Sequence, residues 1–99
     1  MTYFLVVNEQ GPAWNPSRSM REQEKWAEHA SFMNSLVEEG FVVLGGPIRG
    51  GAVHKARLIV RSVSERALRA RLAEDPWMQM GLLQTLTIEP WEVLLSKYD

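Results

Sequence analysis

Two runs of this chain, Tyr3 to Val7 and Phe41 to Leu44, are apolar at every position. As strands they carry hydrophobic side chains on both faces, so each needs cover above and below. Ala56 to Arg61 predicts a third strand, with Leu58 and Val60 on one face and Arg57, Ile59 and Arg61 on the other. Leu82 to Ile88 predicts a fourth, followed by Pro90, Trp91 and an extended tail over Glu92 to Leu95. In 99 residues there is room for one domain and one core, and a domain of this size buries roughly 60–70% of its unfolded surface.

Helical periodicity separates these strands. Ser19 with Glu22 reads as a capping box opening a first helix that runs through Val37 and stops at Gly40. Trp26, Ala30, Met33 and Val37 recur on one face of it. Ser62 with Glu65 reads as a second box, opening a helix that turns Leu68 and Leu72 inward and Arg66, Arg69 and Arg71 outward. Asp75-Pro76 is a favoured N-cap and N1 pair for a short helix ending at Gly81. Asn8 to Pro16 reads as a loop around Trp14, and Gly45-Gly46-Pro47 ends the second strand before a hairpin tip at Arg49 to Ala52.

The order is strand, helix, strand, strand, helix, strand: an α+β chain of the split βαβ kind, with a four-stranded antiparallel sheet and both helices on one face. Helices then cover one side of strands that are apolar on two. A second copy packed sheet to sheet covers the other, so the expectation is a homodimer.

Composition removes several classes of function. A net charge of −1 carries no basic footprint for nucleic acid. No cysteine is present, which excludes disulfides, thiolate nucleophiles and cysteine metal sites. No apolar run approaches the roughly 18 residues of a membrane span, and the start passes into a strand without a leader pattern. A cytoplasmic protein is the expectation. The glycines follow neither a Walker pattern nor strand–GxGxxG–helix, so no phosphate loop is expected, although Gly46 would let a ligand approach the main chain.

Few ionisable residues face inward: His29, Asp75, and by position Glu28 and His54. His29 follows Trp26 by three residues and precedes Met33 by four, which puts a titratable ring on the core-facing stripe. It is either a neutral core histidine or a general base aimed into a pocket between helix and sheet. His54, beside Lys55 past the hairpin tip, reads as exposed and idle. Two histidines without a tight pair fall short of the three or four convergent ligands of a zinc site, so no metal site is expected. A carboxylate from Asp75 would fix the His29 tautomer and raise its basicity, while its second oxygen caps the short helix.

Gly11-Pro12-Ala13-Trp14, His29 and Met33, Gly40, Leu44-Gly45-Gly46-Pro47, Asp75-Pro76-Trp77 and Ile88-Glu89-Pro90-Trp91 together resemble the YCII-related family across almost the whole chain. The resemblance implies a ferredoxin-like protomer of the dimeric α/β barrel type. It also implies a His–Asp dyad in a cleft by the sheet, at His29 and Asp75 here, with no cofactor. Activities among similar proteins include dehydrochlorination of hydroxylated chloroaromatics, lactone isomerisation and cofactor-free oxygenation.

The expectation is therefore a small cofactor-independent lyase or isomerase, with His29 as base and Asp75 orienting it. Trp14, Trp26 and Gly46 would line the pocket, and Arg49 would hold an anionic group. The rival is a dimeric module that binds a small ligand without turning it over; a third reading is a purely structural dimerisation domain.

Overall fold

The computed structural model describes residues 1–97. Its elements are β1 (Thr2–Gln10), a 3₁₀ turn (Met20–Glu22), α1 (Trp26–Glu38), β2 (Val42–Pro47), β3 (Lys55–Ser62), α2 (Glu65–Leu72), α3 (Pro76–Gln79) and β4 (Leu83–Trp91). The strands form one antiparallel sheet in the order β2-β3-β1-β4. This is the α+β ferredoxin-like arrangement.

Alternation along the strands sets the two faces. Phe4 and Val6 of β1, Val42 of β2, and Leu58 and Val60 of β3 are buried on one side, where Leu36 of α1 and Leu68 and Leu72 of α2 cover them. Both helices therefore sit on the same face. Tyr3, Leu5 and Ile59 point the other way and stay partly accessible, with Leu44 67% and Trp91 43% exposed beside them. Among the described residues, no helix is long and apolar enough to cross a membrane.

Several element boundaries differ from the sequence expectation, each for a physical reason. β1 continues through Asn8, Glu9 and Gln10, because these polar residues still have ladder partners in Ala56 and Lys55 of β3 and in Thr85, Gln84 and Leu83 of β4. β4 runs on through Pro90 to Trp91; it is an edge strand, where a missing N–H leaves no ladder bond broken on its open side. Its pairing slips between Val7 and Asn8, so Leu86 is an extra residue in a β-bulge.

The first helix does not begin at Ser19. Glu22 does accept the Ser19 N–H (3.0 Å), but it closes only the 3₁₀ turn. The chain then leaves helical geometry at Gln23, which is extended, and re-enters it after Lys25 at φ 60°. Gln23 is buried and spent on the preceding loop. Its Nε2 donates to the carbonyls of Asn15 (2.7 Å) and Arg18 (3.1 Å), and its Oε1 accepts the Asn15 N–H (3.0 Å). The inward stripe of α1 is also rotated by one residue: Leu36 is fully buried, whereas Val37 is 53% exposed. At the second helix Ser64, not Ser62, is the N-cap, its hydroxyl accepting the Ala67 N–H at 3.0 Å. Glu28, expected inward, is exposed and pairs with Lys25 at 3.8 Å.

Candidate active site

The site is assembled by the turn Asp75-Pro76-Trp77. Asp75 caps α3 through Oδ1, which accepts the Trp77 N–H at 3.0 Å, and Pro76 supplies the fixed φ of the first helical position. Having only four residues, α3 owes its place to tertiary contacts. The Trp77 indole N–H donates to the Glu24 carbonyl (2.7 Å), and its ring is wholly buried. Leu82 and Leu83 share this second apolar cluster with Trp77, and Trp14, Met20 and Trp26 pack against it.

His29, one turn into α1, meets this turn on two sides. Its Nδ1 lies 2.9 and 2.8 Å from the two Asp75 oxygens. Its ring lies flat on Trp77, with centroids 3.9 Å apart and planes within 5°. The Asp75 side chain is only 3% exposed and His29 12%. A carboxylate so buried needs donors, and the Trp77 N–H and the His29 Nδ1–H supply them. With Nδ1 committed to the carboxylate, Nε2 is the nitrogen left for a ligand.

A cavity of about 280 Å³ opens on this ring. That is at the small end of the roughly 300–1,000 Å³ typical of ligand pockets, a scale for single-ring molecules. Trp26, His29 and Trp77 form its helical wall; Asn8, His54, Ala56 and Leu58 form its sheet wall; Met20 and Arg21 reach it from the 3₁₀ turn. Val37 lines its rim. Gly45 is required beside it: a Cβ there would stand 2.5 Å from Leu58 Cδ2 and 3.2 Å from the Arg57 carbonyl oxygen. Among the described residues, no group of three or more His, Asp or Glu side chains is placed to hold a metal ion.

Of the residues singled out from the sequence, His29, Trp26 and Gly46 line this cavity, and Asp75 stands behind His29. Trp14 does not line it. Its loop is clamped by Gly11, whose N–H donates to the Leu82 carbonyl (2.8 Å) so close to Gly81 that a Cβ would lie 2.2 Å from the Gly81 oxygen. From there Trp14 packs edge-on to Trp77 (5.6 Å) and stacks on His54 (4.4 Å, 10°). Arg49 lies on the exposed β2–β3 connection and does not line the cavity.

Three lining residues were not legible as site residues. His54 is not exposed and idle: the Trp14 stack holds it at the cavity wall, where burial and then the nearby His29 push it below the usual histidine value. Asn8 looked like the start of a loop, yet it sits at the bulge, 4% exposed, with Oδ1 buried and without a partner among the described residues. Arg21 drew no attention in the sequence; it lies on the 3₁₀ turn, which ends at the extended Gln23, and lines the cavity.

No protein-family model matches the sequence, and no curated protein sequence does. Among solved structures the chain is similar to the 5-chloro-2-hydroxyhydroquinone dehydrochlorinase TftG from Burkholderia phenoliruptrix AC1100, in complex with 2,5-dihydroxybenzoquinone. The TM-score is 0.68 at 22% identity, over 91% of this chain and 93% of that one. At that identity the likeness is one of fold, and it places this chain with the ferredoxin-like α+β proteins.

Proposed function

We propose that this protein is a small cofactor-independent enzyme of the lyase or isomerase type, in which His29 is the general base and Asp75 its orienting partner. One observation carries the reading: an imidazole whose Nδ1 is held by both oxygens of a buried carboxylate faces a single-ring cavity with its other nitrogen free. Nε2 takes a proton from a substrate carbon or hydroxyl, and the carboxylate stabilises the imidazolium that forms. In an isomerisation the base takes a proton and returns it at another atom. In an elimination it takes the proton, the electron pair left behind forms the new double bond, and the leaving group, such as chloride, departs with its own pair. Neither reaction needs an oxidant or reductant, so both suit a lone base. Trp26 and Trp77 supply apolar walls for a planar ring.

The substrate class we propose is a hydroxylated, single-ring carbon acid, supported by the cavity's size and by the activity named for the structurally similar TftG. Residues 1–99 would form one YCII-related domain, acting in the cytoplasm as a homodimer joined through the apolar open face of the sheet. The motif resemblance and the exposure of Leu44 and Trp91 on that face support this.

The test is turnover. Chloride release from 5-chloro-2-hydroxyhydroquinone, and solvent deuterium exchange into hydroxylated aromatic acids, should exceed the buffer rate with the native protein. Both should fall by about a hundredfold or more in His29→Gln, the scale of one general base. Undiminished activity in His29→Gln sinks the role of His29. Saturable binding of these compounds without exchange or chloride release would leave the rival reading, a ligand-binding module.

A further inference from the structure

The cavity's charge is one-sided. Among the described residues no aspartate or glutamate lines it, and Arg21 is its one lysine or arginine. Arginine side chains near a protein surface commonly find a carboxylate, but among the described residues Arg21 makes no ion pair; the pairs there involve Lys25, His29, Arg69 and Arg71. Its neighbour Glu22 is already spent on the Ser19 N–H. The guanidinium leans instead over the face of Trp26, 5.7 Å from the ring centroid, and Trp26 is itself a cavity wall. Placed over the ring in this way, the guanidinium keeps N–H donors for a planar anion. The segment carrying it is pre-set by the three bonds Gln23 makes to Asn15 and Arg18.

A second, independent observation points to a ligand in the same cavity. Asn8 lines its sheet wall, the residue is 4% exposed, and Oδ1 is buried with no hydrogen-bond partner among the described residues. A buried carboxamide oxygen left without a partner is destabilising, a cost a binding group bears more readily than a structural one.

We propose that the cavity selects anionic single-ring ligands: Arg21 holds a carboxylate or phenolate at the mouth, and the Asn8 carboxamide meets a polar substituent at the sheet wall. This deepens the enzyme reading, resting on the cavity being the substrate site, and names the charge of its substrate. It assigns to Arg21 the anion-holding role that the sequence placed at Arg49.

Benzoate and benzamide, equal in shape and different in charge, serve as probes in NMR titrations of the full chain. The native protein should bind benzoate about tenfold more tightly, the scale of one charge-assisted contact, and the preference should shrink as salt rises. Arg21 is exposed, so Arg21→Gln should fold normally. It should erase the preference by weakening benzoate alone, and Arg21→Lys should restore part of it. Asn8→Val should weaken both probes while raising the melting temperature, a combination no purely structural asparagine would give. Equal affinities in the native protein, no binding of either probe at millimolar concentration, or a preference that survives Arg21→Gln would each overturn the anchor. Turnover plays no part here, so this failure is separate from a failure of His29 in the chloride and exchange assays.

Discussion

His29 and Trp77 lie face to face, ring centroids 3.9 Å apart and planes within 5°, while Asp75, two residues before Trp77, holds the edge of the same imidazole. One short turn thus fixes a ring on another element in two directions. The carboxylate sets which nitrogen carries the proton, and the indole prevents the ring from swinging off it. The Trp77 indole is in turn tied to the Glu24 carbonyl just ahead of α1, so the turn and the helix entry move as one piece. An imidazole held on two sides has its orientation set before any ligand arrives, which is what pre-organisation means.

Asp75 has two roles that substitution separates. Asp75→Asn keeps an oxygen for the Trp77 N–H, so the cap contribution of about 1 kcal/mol should survive. That oxygen also lies 2.9 Å from His29 Nδ1 and can still accept there, but the charge that stabilises an imidazolium is gone. The expected outcome is near-native melting with sharply reduced turnover. Asp75→Ala should lose both cap and activity; equal activity in Asp75→Asn and the native protein would contradict this account.

His54 should make the fold acid-sensitive. Burial, helped by His29, holds its folded value below the ordinary histidine value of about 6.5, so near pH 6 the unfolded chain binds more protons than the folded one. Stability is therefore full above pH 6.5 and declines as pH falls from there toward the folded value. Denaturant midpoints of native protein and His54→Gln, compared between pH 7.5 and 5, should diverge in the native protein's disfavour as pH drops. Parallel curves would mean His54 titrates as it does in the unfolded chain.

Gln23 should carry the 12–22 loop. Gln23→Ala leaves the Asn15 N–H and two carbonyls without their partner, so a loss of about 1–3 kcal/mol is expected in urea unfolding. Amide exchange should quicken at Asn15 to Glu22 while the β1–β3 ladder stays protected. Uniformly faster exchange would show that the loop is not a separate unit.

The open sheet face should join two copies. Leu44 and Ile59 are neighbours across β2 and β3 on that face, with Tyr3 and Trp91 nearby. Light scattering should report twice the chain mass at micromolar concentration, and Leu44→Asp, at a position 67% exposed in one chain, should halve it without unfolding the protomer. A native monomer at that concentration would refute the dimer.

Chemistry confined to a few neighbouring residues was decided by the sequence alone. Asp-Pro at residue 75 favours a helix start, because a side-chain acceptor followed by a pre-set φ satisfies the first turn, and Asp75 does cap Pro76–Gln79. Gly40 and Gly81 end helices at φ 77° and 76°, a conformation side chains resist. Alternation placed Leu58 and Val60 inward, and strand–helix order gave the sheet topology. His29 was legible as inward-facing, yet its pairing with Asp75 spans 46 residues and followed from the family resemblance, not from spacing.

Tertiary structure decided the rest, wherever a side chain's role depends on a partner far along the chain. The capping box at Ser19 was real, but the amide of Gln23 is worth more to the loop at Asn15 than to a helix, so α1 starts at Trp26. Arg21, on the 3₁₀ turn ahead of that break, lines the cavity, and Arg49, on the β2–β3 connection, does not. His54 became a wall residue through a stack on Trp14, forty residues away in sequence, and Asn8 became one because a bulge in β4 sits opposite it. Local propensity has no term for such contacts; they exist only once the sheet has brought the distant segments together.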